Sequence, residues 1–397
     1  MRLGPGQLSA PTDLETTVGA VLDRRLSSVS SQPLAIALSG GGDSLALLMM
    51  TSDWARRAGR RLIVLTVDHR LHRESAAWTE TCANTASRLG LPFRALSWTG
   101  EKPKTGLPAA ARKARHALLA DAARQSEARV ILMGHTADDV LEAAIMRAQG
   151  STTPSAREWS PSPAWPQGRG LFLLRPLLNV RRAEIRDWLR SHHATWIDDP
   201  TNEDDTYARP RARRAISNDQ APCSTVATPS AAPLAQTCQH NARGELEIAR
   251  TALRSAQPEA VLRFISAACL CAAGTSRPPD RDRVRRLAFR LVGEDEFIAS
   301  LAGARVEAAP GVVRFQREAG EAARGGLARL KLMAGETAVW DGRFEITTQH
   351  DIEVGALAGD TQPAVLGAVE ENQWVEKASL AYARLLAACG SIDREPD

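Results

Sequence analysis

The sequence predicts an α/β fold: a parallel, doubly wound sheet, followed by a helical segment and a small α+β domain. Short apolar runs alternate with helical stretches over residues 34–149, the pattern of a parallel sheet with right-handed crossovers and helices on both faces. A cluster of glycines follows the first apolar run directly, which marks a tight turn between a strand and a helix. Beyond residue 245, longer helical stretches give way to short strands.

Four short segments predict strands of a parallel sheet, three of them because they are nearly continuous apolar runs and Phe93–Trp98 on a weaker apolar pattern. They lie at residues 34–38, 62–67, 93–98 and 129–133. The segments that follow them predict helices at residues 45–57, 74–89, 107–126 and 137–149. Residues 171–174 predict one further strand, and residues 181–193 predict a helix that Asn179 would cap.

The rest of the chain is less regular. Residues 151–170 hold four prolines and two tryptophans and predict a long loop. Residues 221–241, rich in Ser, Thr, Ala and Pro, are typical of a linker. Further predictions are helices at 245–273, 281–292 and 377–388, a strand at 306–317 and a hairpin over 331–348. We therefore divide the chain into an α/β domain at 1–215, a linker at 216–244, a helical region at 245–305 and a small C-terminal domain at 306–397.

The composition limits the class of protein. With 397 residues, 44% of them hydrophobic and 24% charged, the chain is typical of a soluble globular protein. It has no apolar run long enough to predict a membrane span. Residues 1–17 lack the apolar core of a signal peptide, so we expect a cytoplasmic protein. A net charge of +4 permits a nucleic-acid partner without requiring one.

The strongest motif is Ser39-Gly40-Gly41-Gly42-Asp43-Ser44, between the first predicted strand and the helix after it. Glycines let the backbone turn tightly and approach a ligand, and a helix N-terminus presents unpaired N–H groups to an anion. The motif therefore predicts a phosphate or pyrophosphate site. Asp43 beside an anion indicates a magnesium ion between the two negative charges. The loop matches neither the Walker motif nor the dinucleotide fingerprint.

This loop resembles the SGGxDS loop of the N-type ATP pyrophosphatases, the PP-loop superfamily. The resemblance implies that the chain splits ATP into AMP and pyrophosphate while an oxygen of the substrate captures AMP. It leaves the substrate open.

Asp68 and His69 end the second predicted strand. Side chains at the carboxyl edge of a parallel sheet face the crevice in which ligands bind. Both are therefore candidates to contact the nucleoside part of ATP, and a structural loop histidine is the alternative for His69.

His135 follows the fourth predicted strand, and Asp138, Asp139 and Glu142 come soon after it. Residues three or four apart share one face of a helix. Such a carboxylate cluster suits a metal ion or an ammonium group. The alternative is compensation of the helix dipole by acidic residues.

A third group of motifs lies further along the chain. Arg175-Pro176-Leu177-Leu178 precedes an acidic segment at residues 196–202, and residues 209–214 hold four arginines. An arginine cluster is a candidate for contacts with RNA or ATP phosphates, with a solvated helix start as the alternative.

Together with the A-R-x-x-R pattern of Arg112 and Arg115, these segments resemble the tRNA(Ile)-lysidine synthetase family over about residues 30–215. The resemblance implies ATP-dependent ligation of L-lysine to C2 of the wobble cytidine of tRNA(Ile) with a CAU anticodon, through an adenylated cytidine. ATP and Mg²⁺ are the implied cofactors. The α/β domain would be the PP-loop catalytic domain, and residues 245–305 would contact the tRNA unless their arginines only form a solvated helix. The oligomeric state stays open, with a homodimer as one option.

The resemblance also assigns roles to individual residues. Those implied to bind ATP are Ser39, Gly40, Gly41, Gly42, Asp43, Ser44, Asp68, His69, Arg112 and Arg115. Those implied to bind lysine are His135, Asp138, Asp139 and Glu142. The implied catalytic residues are Asp43, His135, Asp139 and Glu142, with Asp43 as the metal ligand. The implied contacts to RNA or phosphate are Arg175, Arg209 and Arg213.

Three alternatives remain open. A tRNA thiolase of the same superfamily needs suitably placed cysteines, whereas the six here form no CxxC pair and are expected to be reduced and structural. An amidotransferase-type synthetase would need an ammonia source, and no N-terminal nucleophilic cysteine is present. A catalytically degenerate binding protein is favoured by Pro210, where the family usually has asparagine, and opposed by the intact carboxylates.

Overall fold

The computed structural model describes residues 13–151, 155–198, 208–216, 229–318, 328–355 and 375–396. They belong to two compact units, residues 1–225 with 393–397 and residues 226–392. The division falls inside the expected linker at 216–244, of which residues 217–228 lie outside the described ranges.

A six-stranded sheet forms the centre of the first unit. Its strands are β1 (Leu34–Ala37), β2 (Leu62–Asp68), β3 (Phe93–Ser97), β4 (Val130–Met133), β5 (Trp159–Pro161) and β6 (Phe172–Leu174). The order is β3-β2-β1-β4-β6-β5, and every pair is parallel except β5 with β6. The predicted parallel sheet is confirmed. The prediction of an unbroken loop over 151–170 is wrong at β5, where Trp159 stacks on Phe172.

Helices cover both faces of this sheet. Those described are α1 (Asp13–Arg25), α2 (Gly42–Ala58), α3 (Ser75–Arg88), α4 (Leu107–Gln125), α5 (Ala137–Ala148), α6 (Arg182–Ser191) and α7 (Ala208–Arg214). In β1, Leu34 and Ile36 join the core formed with α1, α2 and α6, whereas Ala35 joins the core beneath α4. This alternation buries both faces of the strand. Because β1 and β4 are adjacent and parallel, the loops before α2 and α5 lie together at the carboxyl edge of the sheet.

Residues 393–396 return to the first unit. The carboxylate of Glu395 pairs with Arg60 at 2.8 Å, and the two side chains are 0% and 3% exposed. Glu395 also accepts a hydrogen bond from the Ser27 backbone N–H at 2.9 Å. Arg60 donates in turn to the carbonyl oxygens of Ser27 and Gln32. The pair therefore ties this segment to the chain before β1 and β2.

A five-stranded antiparallel sheet organises the second unit, in the order β7-β8-β11-β10-β9. Its strands are β7 (Gln239–His240), β8 (Leu246–Ala249), β9 (Phe297–Leu301), β10 (Ala304–Ala309) and β11 (Val312–Arg317). The helices described in this unit are α8 (Ala232–Thr237), α9 (Arg250–Ser255), α10 (Pro258–Ala273), α11 (Arg281–Val292) and α12 (Ala381–Cys389). Phe264 of α10 packs edge-on against Phe315 of β11.

The structure corrects three predictions in this unit. Residues 246–249 form a strand within the predicted helix 245–273, because Leu246 and Ile248 alternate into the core. The predicted strand at 306–317 is a hairpin that turns at Gly311, whose φ is +80°. Residues 232–240, expected in a linker, form α8 and β7, and Leu234 is buried.

Short strands complete the second unit: β12 (Leu330–Leu332), β13 (Thr337–Trp340), β14 (Phe344–Thr348), β15 (Ile352–Val354) and β16 (Val375–Ser379). The predicted hairpin is confirmed as β13 and β14. Asp341 and Gly342 between them have φ values of +52° and +64°, as tight hairpin turns require. No helix in the described part of the chain is long and apolar enough to cross a membrane.

Candidate active site

A cavity of about 730 Å³ opens at the carboxyl ends of β1, β2 and β4 in the first unit. Parallel α/β sheets bind their ligands at this edge. The predicted site residues that line it are Ser39, Gly41, Gly42, Asp43, Ser44, Asp68, His69, Arg115, His135, Asp139 and Arg213. Those outside its described lining are Gly40, Arg112, Asp138, Glu142 and Arg175. The side chain of Arg209 lies outside the described part of the structure.

The phosphate loop is closed by the hydroxyl of Ser44. Ser44 Oγ donates to the carbonyl oxygen of Gly41 at 2.9 Å and accepts from the Ser39 N–H at 3.2 Å. Ser39 Oγ lies 3.1 Å from the same hydroxyl. Gly41 is the N-cap of α2, whose first N–H groups have no partner within the helix. Ser44 thus shapes the loop, and the start of α2 faces the cavity as an anion site requires.

Packing explains why two positions in or near this loop are glycines. A Cβ at Gly40, where φ is +86°, would lie 2.4 Å from Ile197 Cδ1. A Cβ at Gly134 would lie 2.9 Å from the backbone N and Cα of Ser44. At Gly41 the nearest atom would be Ser39 Oγ at 3.7 Å. Protein packing therefore fixes Gly40 and Gly134 and leaves Gly41 open to a ligand. No motif had pointed to Gly134.

We expect Gly134→Ala to lower the free energy of unfolding by about 1–3 kcal/mol, because the new methyl group would push against backbone that cannot move aside. ATP should also bind more weakly, since the displaced atoms begin α2. Urea denaturation followed by tryptophan fluorescence and titration with ATP measure the two effects. Gly19→Ala in α1 is the control, because no atom lies within 4 Å of its Cβ position. Equal stability and ATP affinity of Gly134→Ala and wild type would contradict the packing argument.

Arginines neutralise the carboxylates beside the loop. Arg182 contacts Asp43 at 3.0 Å, Asp139 at 3.6 Å and Glu142 at 3.2 Å. Arg213 contacts Glu142 at 2.9 Å, and the Glu142 side chain is 0% exposed. Burial alone would lower the pKa of Arg182, but the carboxylates, Asp139 foremost, raise it above its ordinary value. Arg182 lines the cavity, yet nothing in the sequence motifs had assigned it a role.

Asp138 and Asp139 also have structural partners. Asp139 Oδ2 accepts from the N–H and the hydroxyl of Thr136, at 2.7 and 3.0 Å, and so caps α5. Asp138 accepts from the Arg182 backbone N–H at 2.7 Å and from the Arg181 guanidinium at 3.2 Å. Asp138 therefore fastens the start of α6 to α5, and its lysine contact stays a prediction.

Burial shifts the pKa of three groups in the cavity. It raises the pKa of Asp43, although the guanidinium of Arg182 opposes the effect. It lowers the pKa of His135 to about 3, although the charge of the nearby Asp139 carboxylate acts to raise this pKa. It also lowers the pKa of His69, with Arg115 acting in the same direction. Both histidines are neutral at pH 7 and can accept hydrogen bonds from a ligand.

Arg175 lies behind the cavity wall and is 5% exposed. It donates to the Arg157 carbonyl oxygen at 2.7 Å and to the Ser160 hydroxyl at 3.1 Å. Burial, followed by the charge of Arg112, lowers its pKa to about 10. It stays charged at neutral pH and holds the chain next to β5. This position argues against the predicted contact between Arg175 and RNA.

The rings of His72 and Trp78 form another part of the lining, which the sequence motifs did not indicate. His72 stacks on Trp78, with ring centroids 4.8 Å apart and planes 8° from parallel. The ring of His69 meets Trp98 edge-on at 6.0 Å. The cavity therefore offers flat apolar faces beside its charged groups, which suits a ligand with an aromatic base.

Comparison with known proteins gives consistent results. The family model of the PP-loop domain matches residues 14–220. A tRNA(Ile)-lysidine synthase from Caulobacter vibrioides is 49% identical, over 87% of this chain and 81% of that protein. Another, from Hyphomonas neptunium, is 36% identical over 83% of this chain and 91% of that protein.

Among solved structures, the U34-tRNA thiolase NcsA of Methanococcus maripaludis is 14% identical, with a TM-score of 0.43, over 51% of this chain and 72% of that one. The extent and identity of the sequence matches confirm the predicted resemblance. This chain belongs to the tRNA(Ile)-lysidine synthase family and carries a PP-loop domain.

Proposed function

We propose that this chain ligates L-lysine to C2 of the wobble cytidine in tRNA(Ile) with a CAU anticodon, using ATP through an adenylated cytidine. The observation that carries the proposal is one cavity lined by the phosphate loop, Asp43, His135 and Asp139. The names of the similar tRNA(Ile)-lysidine synthases agree with it. The proposed location is the cytoplasm, where the tRNA substrate is found.

The first proposed step is adenylation. The triphosphate of ATP would lie against Gly41 and the start of α2, where the backbone is open to a ligand. The cytidine O2 attacks the α-phosphorus, the bond to the β-phosphate oxygen breaks, and pyrophosphate leaves. The N–H groups at the helix start stabilise the charge on the departing pyrophosphate.

Magnesium fits Asp43 in this proposal. Asp43 Oδ1 is buried and accepts no hydrogen bond from any described residue, while Oδ2 pairs with Arg182. Mg²⁺ bound to a nucleotide typically needs one or two carboxylates and completes its shell with phosphate oxygens and water. The described residues hold no cluster of three or more metal-ligating side chains, which is consistent with such a one-carboxylate site. A bound Mg²⁺ would supply charge neutralisation at the phosphates.

The second proposed step joins lysine to the activated base. The lysine ammonium first passes a proton to the carboxylate of Asp139 or Glu142. The free ε-amine then attacks C2, the bond from C2 to the adenylated oxygen breaks, and AMP leaves. Asp139 and Glu142 are the proposed partners of the lysine ammonium. His135, with its pKa lowered to about 3, is a poor store for a proton at pH 7. We therefore assign it to orient the amine by accepting a hydrogen bond.

An exposed face of α11 is the proposed contact for the tRNA body. Arg283, Arg286 and Phe289 are exposed, Phe289 to 81%. Arginine suits phosphates and an exposed aromatic ring suits an unpaired base. This assigns the predicted tRNA contact of residues 245–305 to a defined surface of the second unit.

Incorporation of radioactive lysine tests the function. We expect incorporation into a tRNA(Ile) transcript with a CAU anticodon that requires ATP and Mg²⁺ and releases AMP. A matched transcript with uridine at the wobble position is the control and should accept no lysine. Exchange of pyrophosphate into ATP without lysine transfer, or sulfur transfer to the tRNA, would overturn the proposed substrate while keeping the superfamily.

A further inference from the structure

The guanidinium of Arg182 occupies the place where the proposed reaction needs other cations. Its Nε lies 3.0 Å from Asp43 Oδ2, its Nη1 lies 3.2 Å from Glu142 Oε1, and its Nη2 lies 3.6 Å from Asp139 Oδ1. The side chain is only 15% exposed. These contacts join the phosphate loop to α5 across the cavity floor.

The same carboxylates are the proposed partners of the lysine ammonium and of magnesium. An ammonium that approaches Asp139 and Glu142 meets the like charge of Arg182 at short range, where little water screens it. Glu142 is fully buried and already holds a second cation, Arg213 at 2.9 Å. With Arg182 in this position, the two carboxylates proposed to bind the lysine ammonium already contact guanidinium groups.

The fold does not depend on this guanidinium alone to hold α6 in place. The backbone N–H of Arg182 and the side chain of Arg181 both bind Asp138. Ile185 and Leu189 of α6 are fully buried in the core shared with α2. The side chain of Arg182 can therefore change partners while its helix stays docked.

We propose that Arg182 is an exchangeable internal cation that closes the lysine site until nucleotide phosphates in the cavity draw it away. Guanidinium binds phosphate oxygens in the bidentate manner in which it binds carboxylates, and the triphosphate would enter the cavity that Arg182 lines. The exchange removes one competing cation from Asp139 and Glu142, and the lysine ammonium can take its place. Lysine binding then follows nucleotide binding, and by linkage each ligand strengthens the other. This inference rests on the proposed function.

Lysine affinity with and without nucleotide tests the proposal. Equilibrium dialysis of radioactive L-lysine would use the full chain, the CAU transcript and Mg²⁺, with or without an ATP analogue whose α,β-bridge is a methylene group. We expect wild type to bind lysine about tenfold or more tightly when the analogue is present. Arg182→Gln should bind lysine with an affinity that no longer depends on the analogue. Arg190→Gln on the same helix is the matched control and should keep the wild-type dependence, because Arg190 pairs with the exposed Asp187 and does not line the cavity.

Each outcome decides the matter. The exchange is overturned if the analogue does not change the lysine affinity of wild type. It is also overturned if the analogue changes the lysine affinity of Arg182→Gln as much as that of wild type. Either result leaves the proposed function standing. No lysine binding under either condition overturns the lysine substrate itself. If Arg182→Gln does not fold, Arg182→Lys replaces it, since a lysine side chain keeps the charge but cannot bind phosphate in the bidentate manner of a guanidinium. The dependence should then fall at least about threefold, and a full wild-type dependence would overturn the proposal.

Discussion

Replacing Asp43 with asparagine is expected to slow lysine incorporation by roughly 100-fold or more, the size of effect seen when one group that stabilises transition-state charge is removed. The substitution keeps the shape of the side chain and removes its charge. The negative charge proposed to bind magnesium is lost, and so is one of the charged partners of Arg182 among the described residues. Release of radioactive pyrophosphate in a single turnover without lysine, measured over a range of Mg²⁺ concentrations, isolates the adenylation step.

A matched control lies on α6. Asp187→Asn makes the same chemical change at a carboxylate that is 75% exposed and pairs with Arg190 on the same helix. It should leave adenylation unchanged. Thermal unfolding of both variants shows whether the fold survives. Wild-type pyrophosphate release by Asp43→Asn at every Mg²⁺ concentration would remove Asp43 from the proposed mechanism.

The second large effect concerns stability. Glu395→Gln is expected to lower the free energy of unfolding of the first unit by about 3–5 kcal/mol, because it leaves the guanidinium of Arg60 buried without a counter-charge. Tryptophan fluorescence during urea denaturation reports mainly this unit, which holds seven of the nine tryptophans. The transition of the first unit should therefore move to a lower urea concentration.

An exposed ion pair provides the comparison for that measurement. Asp53 and Arg56 are paired on α2 with side chains 50% and 66% exposed, and solvent screening limits such pairs to about 1 kcal/mol or less. Asp53→Asn should shift the transition slightly. Equal shifts for Glu395→Gln and Asp53→Asn would show that burial of the Arg60 pair adds no stability.

Local patterns explain why most of the first unit was predictable. Continuous apolar strands and the glycine loop are signals within a few residues, and they located β1, β4 and the start of α2. Strand β5 was missed because its three residues include a proline, and α1 because its apolar residues are few. Leu246–Ala249 was assigned to a helix because four residues between helical stretches carry almost no period of their own.

The missed site residues share a different cause. Arg182 pairs with residues 40 to 139 positions away in the sequence, and a single arginine in a basic helix has no pattern that distinguishes it. Gly134 is required by the backbone of Ser44, which only the folded sheet brings near. The carboxylates of α5 were found because their spacing is local. Their arginine partners depend on tertiary structure.

The pairing of Arg60 with Glu395 has a consequence for the timing of synthesis. The ribosome adds Glu395 about 170 residues after the last residue of the main segment of the first unit, an interval of roughly 10–35 s at 5–20 residues per second. During that interval the nascent sheet can form. Glu395 has not yet been synthesised, so the guanidinium of Arg60 lacks the carboxylate with which it pairs. The first unit therefore reaches its full stability only after the second unit has been synthesised.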